Sequence, residues 1–386
     1  MKAGRIVAIL VGVGLFFSAI PAVMADEVAA SSPAIQYFGR WAGNDGCQEC
    51  GQGACYFRTD FTGTSLRAEL TGADGIWWRV SIDGGPFRRF QPQEQPVMLA
   101  EKLAPGRHSV LLVRSTEGAA GISTFRGFLV DDGAELLVSG QQRTRRLEFV
   151  GDSITAGAHN DGVRTAHYQD TENTDMAFGP VLARMLKADY SVVAKSGAGV
   201  VRNYDEAWPW RGKHIRDYYD GTFIAPRPGA ANPQWDARRF PVDGIILAVG
   251  TNDTTAGQIS PVKPVFIAGY LQLLEKIRVQ QPRVPIICME PVPYRIRRDV
   301  CDWIQEAVRQ RKAAGDAQVY FVPVNEDGPL LSEDDFAQDW THPVYTGAVK
   351  VAEHIRDRVA AILGWIEPEH VGARFIEPAE QYESSV

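Results

Sequence analysis

Apolar positions come in short runs in the first third of the chain. Tyr56–Phe61, Ser65–Leu70, Trp77–Ile82, Val97–Ala100, His108–Arg114 and Thr124–Val130 are each set off by Gly, Asp, Pro or Ser, and Leu136-Leu137 forms a further patch. Alternation with period two between turn residues predicts strands. Strands at this spacing over residues 35–140 predict an all-β sandwich, for which a jelly roll is one solution. After a brief polar and basic linker the pattern changes. Leu147–Val150, Tyr190–Ala194, Gly244–Val249, Val284–Met289 and Val319–Val322 are apolar runs that alternate with segments of helical period: Phe178–Leu186, Val265–Val279, Val300–Lys312 and Tyr345–Leu363. Over residues 145–366 this predicts an α/β domain with a mostly parallel sheet and helices on both faces. The stretch Asn203–Phe240 reads as a long insert of the kind that builds binding sites. Residues 26–34 read as a small polar leader. The acidic tail, residues 367–386, is expected to be loosely ordered.

The chain has 386 residues and a formal net charge of −7, with no Lys/Arg cluster large enough to track phosphates. Nucleic acid is therefore excluded as an expected partner. Lys2 and Arg5 precede an apolar run from Ile6 to about Ile20, then Pro21 and small residues, which predicts a signal peptide cleaved after Ala25. The expected location is secreted or periplasmic, with no membrane association after cleavage. A monomer is expected. Cys47, Cys50 and Cys55 fall in a Gly-rich stretch, Gly43–Gly53, read as a loop. One local disulfide with a free thiol, or metal ligation, are both compatible with that spacing. Cys288 and Cys301 flank a predicted loop and form another candidate pair.

The chemistry lies where predicted strands end. Leu147–Val150 runs into Gly151-Asp152-Ser153-Ile154-Thr155-Ala156-Gly157, a turn that exposes a serine at the carboxyl edge of a sheet, where ligands bind in open α/β folds. A serine is also a favoured helix N-cap. Tyr190–Ala194 runs into Lys195-Ser196-Gly197-Ala198-Gly199, Gly244–Val249 into Gly250-Thr251-Asn252-Asp253, and Asp339-Trp340-Thr341-His342-Pro343 precedes the last helix. A serine hydroxyl needs a base. His342 is the candidate base, and Asp339 the candidate acceptor for its Nδ1–H. The N–H groups of Ser153 and Gly197 and the amide of Asn252 are the candidate oxyanion donors. Metal ligation and a cofactor are not expected.

These blocks resemble the SGNH (GDSL-type) hydrolase superfamily. Over the mature chain the sequence resembles carbohydrate esterase family 2, through Phe38-Gly39-Arg40, Phe61-Thr62-Gly63-Thr64-Ser65, Ile82-Asp83-Gly84, Arg202-Asn203-Tyr204 and Phe240-Pro241 as well as the blocks above. The resemblance implies a jelly-roll domain before a flavodoxin-like three-layer α/β/α domain. The implied activity is removal of acetyl groups from polysaccharides such as xylan or glucomannan. The alternatives are an esterase of lipids or bacterial glycans, and a carbohydrate-binding protein without turnover. Some members work with a Ser–His dyad; Asp339 stands where a triad would have its acid. Trp208, Trp210 and Trp235 are candidates for stacking on sugars, and His159 and His167 for lining the pocket. Of Trp77 and Trp78, adjacent in a strand, one is expected in the core and the other as a surface platform.

Overall fold

The computed structural model describes residues 25–161, 168–254, 259–295 and 298–366. The predicted signal peptide up to residue 24, His167 and the tail from 367 lie outside the described residues. Among the described residues, twelve strands precede the first parallel one: β1 (Ala25–Ala29), β2 (Gln36–Phe38), β3 (Trp41–Asn44), β4 (Cys47–Cys50), β5 (Tyr56–Gly63), β6 (Leu66–Thr71), β7 (Trp78–Ile82), β8 (Arg88–Phe90), β9 (Val97–Ala100), β10 (Gly106–Arg114), β11 (Ser123–Asp131) and β12 (Leu136–Leu137). They form two antiparallel sheets. One has the order β3-β4-β11-β6-β9 with β1 on β11; the other has β12-β5-β10-β7-β8 with β2 on β5. Phe57, Phe61, Trp78, Phe125 and Phe128 fill the space between them. Leu66, Ala68 and Leu70 of β6 point inward while Arg67 and Glu69 point outward, as a half-buried strand requires.

Two readings of this half change. The first part of the leader, up to Ala29, lies in strand β1, registered antiparallel on β11 from Ala25↔Asp131 to Ala29↔Gly127. The Gly-rich cysteine stretch is largely a hairpin, β3–β4, closed with Asn44 opposite Cys47. Its two turn residues, Asp45 and Gly46, both have positive φ (44° and 79°). That is the Asp-Gly two-residue turn whose twist matches the flanking strands.

The second half carries β13 (Arg145–Gly151), α1 (Ser153–Ala156), α2 (Tyr168–Thr171), α3 (Phe178–Met185), β14 (Ala188–Ala194), α4 (Ile215–Tyr219), β15 (Gly244–Ala248), α5 (Lys263–Gln280), β16 (Ile286–Met289), α6 (Arg298–Ala313), β17 (Val319–Val322) and α7 (Tyr345–Ile362). All five strands are parallel, in the order β14-β13-β15-β16-β17. The helices pack as two groups, α3 with α7 and α5 with α4 and α6. Counting along the chain, the order is 2-1-3-4-5, and the crevice at its switch point lies beyond the carboxyl ends of the first and third strands. Register brings those ends level: Gly151 pairs with Ala194 on one side and Ala248 on the other. The three chemistry-bearing blocks leave the sheet side by side. None of the helices among the described residues is long and apolar enough to cross a membrane.

The sandwich is joined to this domain through buried polar contacts. In β5, Phe57 and Phe61 face the sandwich core, and the alternate residues Tyr56 and Arg58 face across the boundary. Tyr56 donates to Asp189 (2.8 Å), and the Arg58 guanidinium meets both oxygens of the same carboxylate (3.1 Å each). Arg40, fully buried, pairs with Glu148 at 3.1 Å and donates to the carbonyls of Tyr219 and Gly221. Buried charges persist when paired and hydrogen-bonded in this way.

Candidate active site

Ser153 is set by a turn that tolerates little change. A Cβ on Gly151 would lie 2.1 Å from Thr155 Oγ1 and 2.4 Å from the Ala248 carbonyl oxygen, so β13 ends on glycine. Asp152 caps α1, accepting the Ile154 N–H at 3.1 Å. Gly157 closes the single turn in the left-handed region (φ 77°). Ser153 becomes the first residue of that turn, and its Oγ lies 2.7 Å from Nε2 of His342.

Asp339 and His342 sit on a tight excursion before α7. The Ala337 N–H donates to the His342 carbonyl (2.8 Å) and Trp340 adopts φ 57°. Both oxygens of Asp339 accept. Oδ2 lies 2.6 Å from His342 Nδ1, while Oδ1 takes the N–H groups of Thr341 and His342, each at 3.1 Å. Burial would raise this carboxyl; the hydrogen bond and charge of His342 outweigh it and hold Asp339 well below the usual carboxylate range. A continuous chain therefore runs Ser153 Oγ, His342, Asp339.

The two glycine- and asparagine-bearing blocks are tied to each other. Lys195 to Ala198 form a turn closed by Ala198 N–H donating to the Lys195 carbonyl (3.1 Å), with Gly197 at φ 77° as its third residue. That is the position where a type II turn needs glycine. Asn252 donates through Nδ2 to the Ala198 carbonyl at 2.9 Å. The Asp253 carboxylate accepts the N–H groups of Val200, Val201 and Arg202 at 2.9, 2.8 and 3.1 Å. Arg202, buried, donates back to the carbonyls of Asn252 and Asp253. Burial pushes the Asp253 carboxyl up to about 7 and the Asp152 carboxyl up to about 6, against the N–H groups that favour their charged forms.

Other expected site residues divide. His159 stands beside the chain of three. Its Nε2 is 3.9 Å from Asp339 Oδ2, its ring is 5.5 Å from that of His342, and its Nδ1 is 3.0 Å from Thr171 Oγ1. His159, Asp339 and His342 thus offer three metal-type ligand atoms in one place, a cluster that sequence spacing did not reveal. Both nitrogens of His342 are already engaged, by Asp339 and Ser153, which is the geometry of a proton relay. Trp208, exposed at 64 %, packs edge-to-face on Trp210 with centroids 4.9 Å apart. Trp235 is a correction. It is buried in the core, with the guanidiniums of Arg40 and Arg239 over its ring, and offers no free face to a sugar. Trp78 is core, as expected, but Trp77 is not a platform. Arg89 covers its ring, and its Nε1–H donates to Asp170. All five cysteines are thiols; Cys50 and Cys55 lie buried together, and Cys288 is buried in β16.

Sequence reasoning missed Tyr168, whose hydroxyl lies 2.7 Å from Ser196 Oγ, and Glu117, which reaches Ser196 from the sandwich. No local motif marks either. It also passed over Trp340, partly exposed between Asp339 and His342 with the Arg295 guanidinium over its ring.

Residues 37–139 match the model of the carbohydrate esterase 2 N-terminal domain, and residues 149–348 that of the GDSL-like lipase/acylhydrolase family. Among curated proteins, the chain is 29% identical over 342 residues to the cellulase/esterase CelE of Acetivibrio thermocellus, covering 86% of this chain and 40% of that protein. It thus spans less than half the length of that relative. An acetylxylan esterase / glucomannan deacetylase of Cellvibrio japonicus is 29% identical over 280 residues, 69% of this chain and 74% of that one. Among solved structures, a family two carbohydrate esterase from Clostridium thermocellum in complex with cellohexaose superposes with a TM-score of 0.76 at 27% identity. That match covers 86% of this chain and all of the other. A family two carbohydrate esterase from Cellvibrio japonicus shares the fold, with a TM-score of 0.78 at 24% identity over 90% of this chain and all of that one. The first match, placed directly before the second, makes residues 37–139 similar to carbohydrate esterase 2 proteins; the second spans half of the residues, and the chain therefore belongs to the GDSL-like lipase/acylhydrolase family.

Proposed function

We propose that this protein is a serine esterase that removes O-acetyl groups from polysaccharides of the xylan or glucomannan type. The observation that carries this reading is the unbroken relay from Ser153 Oγ through both nitrogens of His342 to Asp339, with steps of 2.7 and 2.6 Å. In the proposed reaction His342 takes the Ser153 proton as Oγ bonds to the acetyl carbonyl carbon. Asp339 fixes the tautomer and stabilises the imidazolium. The N–H groups of Ser153 and Gly197 and the amide of Asn252 receive the negative charge on the carbonyl oxygen. The carbon–oxygen bond to the sugar then breaks, and His342 returns the proton to the departing sugar oxygen. Water, activated by His342, releases acetate from Ser153 by the same steps in reverse.

The carbohydrate part of the reading is supported by the relatives' activities and by the exposed Trp208 beside Trp210, whose loop follows directly from the Gly197 block. Export, by way of the predicted signal peptide, accords with a polymeric substrate. The test is Ser153→Ala, assayed for acetate release from acetylated xylan and acetylated glucomannan by NMR. Loss of release with retained glycan binding is expected; wild-type release by the variant would overturn the assignment.

A further inference from the structure

The sandwich domain sends one residue to the edge of the active site. Glu117 lies in the segment between β10 and β11 and is buried. Its carboxylate Oε2 accepts the N–H of Ser196, across the domain boundary, at 2.8 Å. Ser196 is the residue immediately before Gly197. Glu117 itself is held from several sides. The buried Arg114 guanidinium donates to the carbonyls of Cys50, Thr116 and Glu117 at 3.0, 2.9 and 2.9 Å. The Glu117 N–H donates to the carboxylate of Glu172, which is also buried. Just upstream in the same segment, the Ser115 carbonyl accepts the Thr174 N–H at 2.8 Å. The carboxylate is therefore presented on a rigid arm.

The turn that receives it is held mainly by hydrogen bonds and by the buried Ala198. A Cβ built on Gly197 would meet nothing nearer than Tyr204 Cβ at 3.7 Å, so Gly197 itself is not clamped by side chains. Hydrogen bonds set its position: Ser196 N–H to Glu117, Ala198 N–H to the Lys195 carbonyl, Lys195 N–H to the Gly151 carbonyl, Tyr204 N–H to the Gly197 carbonyl, Lys195 Nζ to the Ser196 carbonyl, Asn252 to the Ala198 carbonyl, and the Ser196 hydroxyl against Tyr168. Of these, the bond to Glu117 acts on the peptide next to the Gly197 N–H and comes from outside the α/β domain. A displacement of about 1 Å in a reacting group is enough to cost roughly 10²-fold in rate.

We propose that Glu117 is a positioning residue for the oxyanion site: the sandwich domain, through this one carboxylate, sets the Gly197 turn for catalysis in its neighbour. Burial raises the Glu117 carboxyl, and the hydrogen bonds from Ser196, with Lys195 and Arg114 nearby, work against that rise. Either protonation state leaves an oxygen free to accept the Ser196 N–H, so the role needs an acceptor and not a charge. The inference rests on the serine esterase reading above.

That distinction sets the test. Glu117→Gln keeps an acceptor and removes the charge; Glu117→Leu removes both. Steady-state kinetics on 4-nitrophenyl acetate should show Glu117→Leu falling about 10- to 10²-fold in kcat with KM within about twofold, and Glu117→Gln retaining most of the wild-type kcat. A folded Glu117→Leu with wild-type kcat, a loss confined to KM, or equal losses in both variants would overturn the inference. If Glu117→Leu does not fold, the 15N-labelled wild type decides. A Ser196 amide proton that is shifted downfield and protected from exchange supports the role, and one that exchanges like a loop amide overturns it. Wild-type protein inactive on every acetyl ester would instead defeat the esterase reading, and this inference with it.

Discussion

Replacing Asp339 by asparagine separates a triad from a dyad, and the structure sets the size of the effect. Both oxygens of Asp339 are acceptors: one for His342 Nδ1–H at 2.6 Å, the other for two backbone N–H groups at 3.1 Å. Asparagine has one acceptor. If its oxygen faces His342, its NH2 opposes the N–H groups of Thr341 and His342. If it faces those, its NH2 opposes Nδ1–H and favours the tautomer that cannot take the Ser153 proton. A hydrogen bond to a charged group contributes about 1.5–3 kcal/mol, and a buried donor left without an acceptor costs about 1–3 kcal/mol. Together these give about 2.5–6 kcal/mol, or roughly 10²- to 10⁴-fold at about 1.36 kcal/mol per factor of ten. The loss belongs in kcat, because the imidazolium that Asp339 stabilises exists only after the serine has given up its proton. Steady-state kinetics of Asp339→Asn on 4-nitrophenyl acetate should therefore show kcat down by that factor with KM little changed. A variant that keeps a third or more of wild-type kcat would refute the reasoning and leave Asp339 as a turn residue beside a working dyad.

Gly197→Ala introduces no clash but asks alanine to adopt φ 77°, which costs roughly 1–2 kcal/mol; a fall of about tenfold in kcat with a native circular dichroism spectrum is expected, and an unchanged kcat would count against the oxyanion role of this turn. Trp208→Ala should raise KM for acetylated polysaccharide far more than for 4-nitrophenyl acetate, and an equal change on both substrates would remove Trp208 from glycan binding. Because burial lifts the Asp253 carboxyl to about 7, the folded protein keeps a proton that the unfolded chain has lost between about pH 4 and 7. The stability tied to that proton is present at low pH and is lost as pH rises through the folded value. In Asp253→Asn that dependence is gone, so the difference in Tm between variant and wild type should shift in the variant's favour from about pH 5 to about pH 8; a difference that stays constant with pH would contradict this.

The parallel sheet and the blocks around Ser153, Gly197, Asn252 and His342 could be read from the chain because each block directly follows an apolar run or precedes a strongly periodic helix. Other features depend on partners far away in sequence. Strand β1 has no alternation of its own and exists through its backbone pairing with β11. The β3–β4 hairpin did carry its signal, Asp45-Gly46, but cysteine and glycine around it read as loop. Trp235 looks like a sugar platform until Arg40, from the other domain, occupies its face. Glu117 stands 79 residues from the Ser196 N–H it holds, and nothing local distinguishes it from a surface glutamate. The chemistry of strand ends was legible, then, and the chemistry of the domain boundary was not.

In the proposed mechanism Ser153 carries the acetyl group during turnover. The most direct measurement is rapid acid quench of enzyme turning over 4-nitrophenyl acetate, followed by peptide mass analysis. The mass of one acetyl group is expected on the peptide containing Ser153 in the wild type and none on the corresponding peptide of Ser153→Ala. Turnover with the acetyl group on another residue, or undiminished turnover by Ser153→Ala, would contradict it.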